Sequence, residues 1–440
     1  MAKKKQDLTP EERLAAALVP EEEWPYALPD GWKWVYWGKC GDFIAGTGFP
    51  QLYQGIIGEK YPFYKVGSLR SIDADGYLMD NQHSIDDKIL LKIKAKKIEP
   101  NSIVFAKIGE AIKLNRRGLT KQVCCVDNNM MAFQADKNLL DYHYVYYWST
   151  GIDLYKYTNA TTVPAIRKTD LEKIVFPLPP LSEQHRLVAR IESLFAKLDA
   201  AREKVQSVLN SHETRKAALL HDAFTGKLTA KWREEQGISL VNWQTRSLSD
   251  CGTWKGGGTP SKAHPDYWEN GEIMWVTSKD MKSDKIQDTQ MHITPLGVEQ
   301  SSAIYSEKPA VLFVTRSGIL RHTLPVALVN RPFTTNQDLK SLTPNENIDT
   351  QYLFFAAKAF SGQILKTCMK NGTTVESINT KKLMEFLLPI ASMREQKVIA
   401  KMLRQLLNKE QRARQAAEET LTAIDRMKQS ILARAFRGEL

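Results

Sequence analysis

Residues 176–228, FPLPPLSEQHRLVARIESLFAKLDAAREKVQSVLNSHETRKAALLHDAFTGKL, decide how this chain is organised. Pro177, Pro179 and Pro180 hold the backbone extended and lack amide donors, so no helix runs through them. Ser182 then stands as an N-cap, with Glu183 and Gln184 in the first turn, and a long helix is predicted from there. Leu187, Ile191, Leu194, Leu198, Ala201, Val205 and Val208 follow at alternating steps of four and three, the narrow seam of a coiled coil. Such a seam requires a partner helix.

The partner is in the same chain. A shift of 212 positions lays residues 159–228 over 371–440 without a gap, with 20 of 70 columns identical. Thr161, Thr162, Val163 and Ile166 meet Thr373, Thr374, Val375 and Ile378. Pro177 meets Pro389, Glu183 and Gln184 meet Glu395 and Gln396, and Ala223, Phe224, Gly226 and Leu228 meet Ala435, Phe436, Gly438 and Leu440. The second copy keeps Ile399, Leu403, Leu406, Ile424, Met427 and Ile431 at seam spacing, while Glu410, Ala413, Ala417 and Thr420 thin its middle. Antiparallel pairing is expected, because each helix follows its own globular unit and a two-fold-like layout lets both copies bury equivalent faces.

At 440 residues the chain is long enough for two or three domains, each with its own core. An excess of 61 Lys and Arg over 50 Asp and Glu gives a formal charge of +11, which favours a polyanionic partner such as nucleic acid. The five cysteines, Cys40, Cys124, Cys125, Cys251 and Cys368, form no C-x-x-C pair and no zinc-spaced cluster with histidine, so buried thiols are expected, without disulfides or metal. The start, MAKKKQDLTPEERLAAAL, turns charged where a signal peptide needs an apolar core, and no apolar run reaches about 18 residues. A soluble, cytoplasmic protein is expected.

Taken in order, residues 1–30 read as a charged leader with a short helix after Thr9 and Pro10. A first α+β domain spans 31–176, with strand-like segments at 89–93, 102–108 and 122–126 and a Tyr-rich helix at 141–149. The first spacer helix region is 177–228, a polar connector 229–240, the second domain 241–388 and the second helix region 389–440. The domains echo each other: Trp32, Cys40 and Gly41 line up with Trp243, Cys251 and Gly252, FYKVGSL from Phe63 with MWVTSKD from Met274, Val104 and Phe105 with Leu312 and Phe313, and Tyr144 with Tyr352.

This order, with PLPPLSEQ opening the helix region, AFTGKL closing it, and GGGTPSK, YW and IMWVTSKDM in the second domain, closely resembles the specificity (DNA-recognition) subunit of Type I restriction–modification systems. The pieces carrying the resemblance are Gly257, Gly258, Thr259, Pro260 and Ser261; Trp275, Val276 and Thr277; Asn336 and Gln337; and, in the first domain, residues 46–55 and 61–69. Their order and double occurrence make the match. The resemblance implies two similar target-recognition domains held by two long helices in an antiparallel coiled coil, an internal pseudo-two-fold repeat. Each domain would read half of a bipartite double-stranded DNA site, the helices would fix the gap, and two methylation subunits would dock along them. It further implies that this chain binds no cofactor, that S-adenosylmethionine sits on the methylation subunits, and that restriction subunits translocate and cut.

The residues suit that task. A helix of about 40 residues is roughly 60 Å long, enough to separate domains by one duplex turn of about 34 Å. Direct readout uses Arg or Lys for guanine, Asn or Gln for adenine, and small hydroxyls. The first domain offers Lys65, Ser68, Arg70, Lys107, Lys113, Asn115, Arg116, Arg117 and Lys121, with Arg116 and Arg117 equally suited to a phosphate clamp. The second offers Thr277, Ser278, Lys279, Lys282, Arg316, Arg321, His322, Asn336 and Gln337. For each, the competing expectation is a solvated surface residue. Thr161 and Thr162, with Thr373 and Thr374, fit caps or packing points better than base readers. Tyr142, Tyr144, Tyr146, Tyr147 and Trp148 could stack on bases, but their helical spacing and their echo at Tyr352, Phe354 and Phe355 favour core packing.

Catalytic readings fail on motif. The glycines of residues 43–48 come without an N/D-P-P-F/Y motif, since residues 178–181 lack the amide or acid. Gly226 and Lys227 are followed by Leu228 rather than Ser or Thr, so no phosphate loop forms. Asp266 with Glu269 or Glu272 lacks the lysine a nuclease would place after the acid. The alternative from a different class is a coiled-coil scaffold that binds protein or RNA partners without reading DNA sequence.

Overall fold

A computed structural model of the chain describes residues 9–159, 162–370 and 375–440. The chain divides into two compact units, Met1–Val205 with Thr420–Leu440, and Gln206–Glu419. Both divisions fall inside the long helices, so each unit contains one globular domain, the start of the helix that follows it, and the end of the other helix. Among the described residues no helix is long and apolar enough to cross a membrane.

In the first unit a four-stranded antiparallel sheet runs in the order Gly41–Ala45, Met130–Ala135, Ile103–Ala106, Arg117–Leu119. Trp37 is fully buried on it, its ring 4.8 Å from Phe43, 5.0 Å from Phe133 and 5.1 Å from Trp148 of the helix Tyr142–Thr150. A three-stranded sheet holds Tyr61–Tyr64 between Ser84–Ile85 and Cys125–Val126, and a two-stranded ribbon pairs Lys33–Tyr36 with Val175–Leu178. The second unit repeats the plan with a five-stranded sheet, Gly252–Lys255, Leu339–Pro344, Ala310–Val314, Val326–Val329 and Lys285–Ile286. Its three-stranded sheet is His292–Ile293, Ile273–Val276 and Phe333–Thr335, and its ribbon pairs Gln244–Ser247 with Leu387–Ile390.

The helices pair antiparallel in each unit. In the first, Lys428 reaches both carboxylate oxygens of Asp199 at 2.6 and 2.8 Å, Arg202 pairs with Asp425, and Arg186 donates to the Leu440 carbonyl at 2.9 Å. In the second, Arg215 of the first helix bonds Glu410 at 2.8 Å, and Arg233, which lies beyond that helix, bonds Glu395 near the start of the second at 2.8 Å. In the first unit the partner numbers fall from Leu440 through Lys428 to Asp425 as the first helix advances from Arg186 to Arg202, which is the antiparallel sense.

One device joins helix to domain in both units. The buried Gln184 side chain accepts from the Asp141 amide and donates to the Leu139 and Pro179 carbonyls, all within 2.8 to 2.9 Å. Gln396 does the same with Asp349, Asn347 and Ala391, at 2.8 to 3.1 Å. The hydroxyls of Tyr144 and Tyr352 donate to Pro177 and Pro389 carbonyls at 2.7 Å, so these tyrosines are core residues, as are Tyr147 and Trp148.

Several sequence expectations change. Residues 89–92 are helical, within Asp87–Lys92, and Ile93 is the C-cap, because Asp86 caps the Ile89 amide at 2.7 Å and apolar spacing buries Leu90 while leaving Leu91 74% exposed. The strand expected at 122–126 shrinks to Cys125–Val126. Ser182 lies inside the first turn of the helix Leu181–Asn210, whose Glu183 and Gln184 amides donate to the Pro180 carbonyl. That helix breaks at Ser211, whose hydroxyl bonds back to Ser207, and resumes as His212–Phe224. Val208, three residues before the break, is exposed. Met427 is also exposed; the stem of Lys428 takes its place, its ammonium 4.8 Å over the Phe195 ring.

The leader and the connector share one contact. Pro29 lies against Gly438 in the first unit as Leu240 lies against Gly226 in the second. Ala17 and Val19 are buried, and the segment after Thr229 is a helix, Ala230–Gln236, with Arg233 in the core.

Candidate nucleic-acid interface

Both units contain a parallel strand pair whose two chains leave at the same end, and the polar residues gather there. In the first unit Tyr61–Tyr64 lies parallel to Cys125–Val126. Beyond the strands the Asp127 amide donates to the Tyr64 carbonyl at 2.9 Å, and the Thr47 amide to the Val126 carbonyl at 2.9 Å. In the second unit Ile273–Val276 lies parallel to Phe333–Thr335. There the Asn336 amide donates to Val276 at 3.0 Å and the Gly258 amide to Thr335 at 2.9 Å.

A glycine loop lies flat across each pair. A Cβ on Gly46 would stand 1.9 Å from the Asp127 carbonyl oxygen, and one on Gly257 2.2 Å from that of Asn336, so only glycine permits this approach. The two adjoining loops also match. The Lys65 amide donates to the Ser68 hydroxyl at 3.0 Å, and the Thr277 amide to the Asp280 carboxylate at 2.8 Å. The Asn129 amide donates to Asp127 at 2.9 Å, and the Asp338 amide to Asn336 at 3.2 Å. These bonds set Tyr64 against Val276, one position beyond the alignment read from sequence. A slip of one residue exchanges the faces of a strand, so the register matters.

On this shared frame the side chains differ. In the first cradle Lys65 donates to Gln54 Oε1 at 2.8 Å, and Lys107 stands beside Asp127. Burial, and then the neighbouring Lys96 charge, hold the Lys107 ammonium below the usual lysine range. Burial pushes the Asp127 carboxyl upward, opposed by the Asn129 hydrogen bonds and the charges of Lys65 and Lys107. In the second cradle Thr259 donates to Gln337 Oε1 at 2.5 Å, Trp275 Nε1 donates to the Gly258 carbonyl at 3.0 Å, and the Arg316 amide donates to Asp338 at 3.2 Å. Ser278 is half-buried, and Lys279, Lys282, Arg316 and Gln337 are exposed.

Not every sequence candidate belongs to the cradle. Arg117 is 4% exposed in a strand, opposite Phe105, where the other unit has Val326 opposite Phe313. Its guanidinium donates to the Ile152 carbonyl and Asn115 Oδ1, and burial lowers it to about 10, so it is no phosphate clamp. Asn115 has left-handed backbone and spends its oxygen on Arg117 and the Leu154 amide. Ser68 and Asn336 are buried and hold loops. Lys113 pairs with Glu110 at 2.6 Å, Arg321 with Glu376, while Arg70, Arg116, Lys121 and His322 are exposed outside these hydrogen-bonded frames. Of the threonines beside the helices, Thr161, Thr373 and Thr374 lie outside the described residues.

The family described as "Type I restriction modification DNA specificity domain" matches residues 40–210 and 240–419. The Type I restriction enzyme EcoR124I/EcoR124II specificity subunit of Escherichia coli is 31% identical over 274 residues, covering 62% of this chain and 65% of that protein. The chain thus spans just under two thirds of that relative. The MjaVIII specificity subunit of Methanocaldococcus jannaschii is 22% identical over 437 residues, 94% of each chain. In fold, the crystal structure of the HsdS subunit from Thermoanaerobacter tengcongensis matches with a TM-score of 0.63 at 19% identity, over 95% of this chain and 100% of that one. A chain from a structural study of complex assembly in the type I R-M system matches with a TM-score of 0.69 at 20% identity, over 94% and 100%.

Proposed function

The chain belongs to the family of Type I restriction modification DNA specificity proteins, and we propose that it is the non-catalytic subunit that selects the DNA sequence on which such a complex acts. Each domain reads one half of a bipartite duplex site. The observation that carries this is the doubled cradle: Gly46 and Gly257 lie on strand ends with the same backbone hydrogen bonds, while Lys65 in one is replaced by Thr277 in the other. A fixed frame with interchangeable side chains is what two different half-sites require.

In this reading Lys65, Lys107, Arg70, Arg116 and Lys121 of the first domain, and Thr277, Ser278, Lys279, Lys282, Arg316, His322 and Gln337 of the second, supply the DNA-facing set. The chain performs no bond chemistry. Two methylation subunits dock on the helices and hold S-adenosylmethionine, restriction subunits join them, and the helices set the gap.

The experiment is an electrophoretic shift of duplex DNA by the chain with its methylation partner at several salt concentrations. Binding that weakens with salt reports phosphate contacts, and discrimination among sequences that survives reports base readout. Equal binding to all duplexes at every salt concentration would refute the reading.

A further inference from the structure

The helix Asp87–Lys92 and the loop behind it occur in both units with matching backbone and contrasting chemistry. Ile85 pairs with Tyr61 as Ile293 pairs with Ile273. Asp86 caps the Ile89 amide at 2.7 Å, and Thr294 caps the Gly297 amide at 3.1 Å. Ala95 and Ala303 are both buried, and the Ile98 amide donates to Cys124 at 2.8 Å as the Ser306 amide donates to Phe333 at 3.0 Å. Residues 85–98 therefore correspond to 293–306 at a constant shift of 208.

Within that frame, residues 88–97 read KILLKIKAKK and residues 296–305 read LGVEQSSAIY. The first carries five lysines and no acid, net +5; the second carries Glu299 and no base, net −1. Lys88, Lys92, Lys94, Lys96 and Lys97 are all exposed. Among the described residues no ion pair engages any of them, although Lys60 beside them pairs with Asp87 at 2.8 Å. Lys97 lies 4.8 Å over the Tyr61 ring and Lys92 5.7 Å over the Tyr53 ring, so aromatic faces hold two of the ammonium groups in place.

The fold does not need these charges, since the second unit builds the same element without a lysine. What lies beneath is a packed platform of Tyr61, Phe63, Ile85, Leu90, Ala95 and Cys125. What lies beside it is the cradle: the Lys96 amide donates to the Thr47 hydroxyl at 3.3 Å, in the glycine loop itself. In the second unit the equivalent loop lies equally close, with Ser302 against Gly258.

We propose that residues 88–97 form a phosphate-binding arm of the first recognition domain that the second domain lacks, so that the two half-sites are held with unequal electrostatic strength. The proposal rests on the DNA-reading function above. Lysines act here as point charges on backbone phosphates, which position the duplex without reading its sequence. The first half-site then supplies the larger share of the salt-dependent affinity.

The test uses the full chain assembled with its methylation partner, carrying Lys92→Gln, Lys96→Gln and Lys97→Gln together. If three phosphate contacts are lost, the slope of log affinity against log salt becomes shallower by about 2.7, at about 0.9 per contact. The methylated sequence stays the same, and the Lys92→Arg, Lys96→Arg, Lys97→Arg variant restores the slope. An unchanged slope in the glutamine variant overturns the arm alone, leaving the DNA-reading function standing. So does an altered methylated sequence, which would mean base contact, or a failure of the arginine variant to restore the slope. A wild-type complex that shows no salt-dependent, sequence-discriminating binding overturns the underlying function and the arm with it.

Discussion

The ring of Phe436 stands edge-on to Tyr144, centroids 5.3 Å apart at 70°, so the end of the second long helix closes the core of the first domain. Phe224 meets Tyr352 in the second unit in the same way, at 5.3 Å and 62°. Each domain is thus completed by the terminus of the helix that does not follow it in sequence. Truncating Phe436, which is 7% exposed, to alanine should cost about 3–5 kcal/mol, and Phe224→Ala a similar amount. Urea unfolding checks this; a loss below 1 kcal/mol for Phe436→Ala would mean that the helix end only rests on the domain.

The glutamine clamp gives a second prediction. Gln184→Met fills a similar volume but leaves the Asp141 amide and the Leu139 and Pro179 carbonyls buried without partners. Each unpaired group costs about 1–3 kcal/mol. Thermal unfolding should show a marked drop for Gln184→Met and again for Gln396→Met, where the same three kinds of bond are lost. Wild-type melting in either variant would contradict the assignment.

Much of this was legible in the chain itself. The gapless shift that aligned Gln184 with Gln396 and Phe224 with Phe436 marked the residues that bind helix to domain, because one structural role fixes one residue type at both copies. The cradle was harder to read. Gly46 and Gly257 were visible as glycines, but their purpose depends on the carbonyls of Asp127 and Asn336, which only the parallel pairing brings close. Arg117 looked like a surface charge beside Arg116, and nothing in its neighbours signals a strand position that the other copy fills with valine. The seam fails at its end: Val208 is exposed, and the helix breaks at Ser211, whose hydroxyl bonds the Ser207 carbonyl. The contact of Pro29 with Gly438 was unreadable because its counterpart, Leu240 with Gly226, sits in the middle of the chain.

Glu395 and Glu183 occupy equivalent positions with unequal surroundings. Glu395 is fully buried and accepts from Thr229, Arg233 and Trp243, each at 2.8 Å. Glu183 is partly exposed, on Arg186 at 2.7 Å. Glu395→Ala strands a buried guanidinium and should cost about 3–5 kcal/mol. Glu183→Ala should cost about 0–1 kcal/mol. Denaturant midpoints for the two variants test the contrast, and similar losses would remove the distinction.

The cysteines predict a response to alkali. All five are buried thiols, and burial raises the Cys125 and Cys251 thiols to about 11 from an ordinary value of 9.0. A folded-state value above the unfolded one favours the folded protein while both forms are protonated. That contribution is complete below the unfolded value of 9.0 and is lost as pH rises towards about 11. Melting temperature should fall across this window, and less steeply in a variant carrying Cys125→Ala and Cys251→Ala. Equal slopes would show that other groups govern the alkaline limit.

The most direct measurement is an exchange of residues 31–175 for the corresponding domain of a relative with a different target, followed by sequencing of methylated adenines in a host carrying the hybrid. The account predicts that one half of the methylated site changes to the donor's while the other half and the gap stay as they were. A site that does not change, or one that changes in both halves, would contradict it.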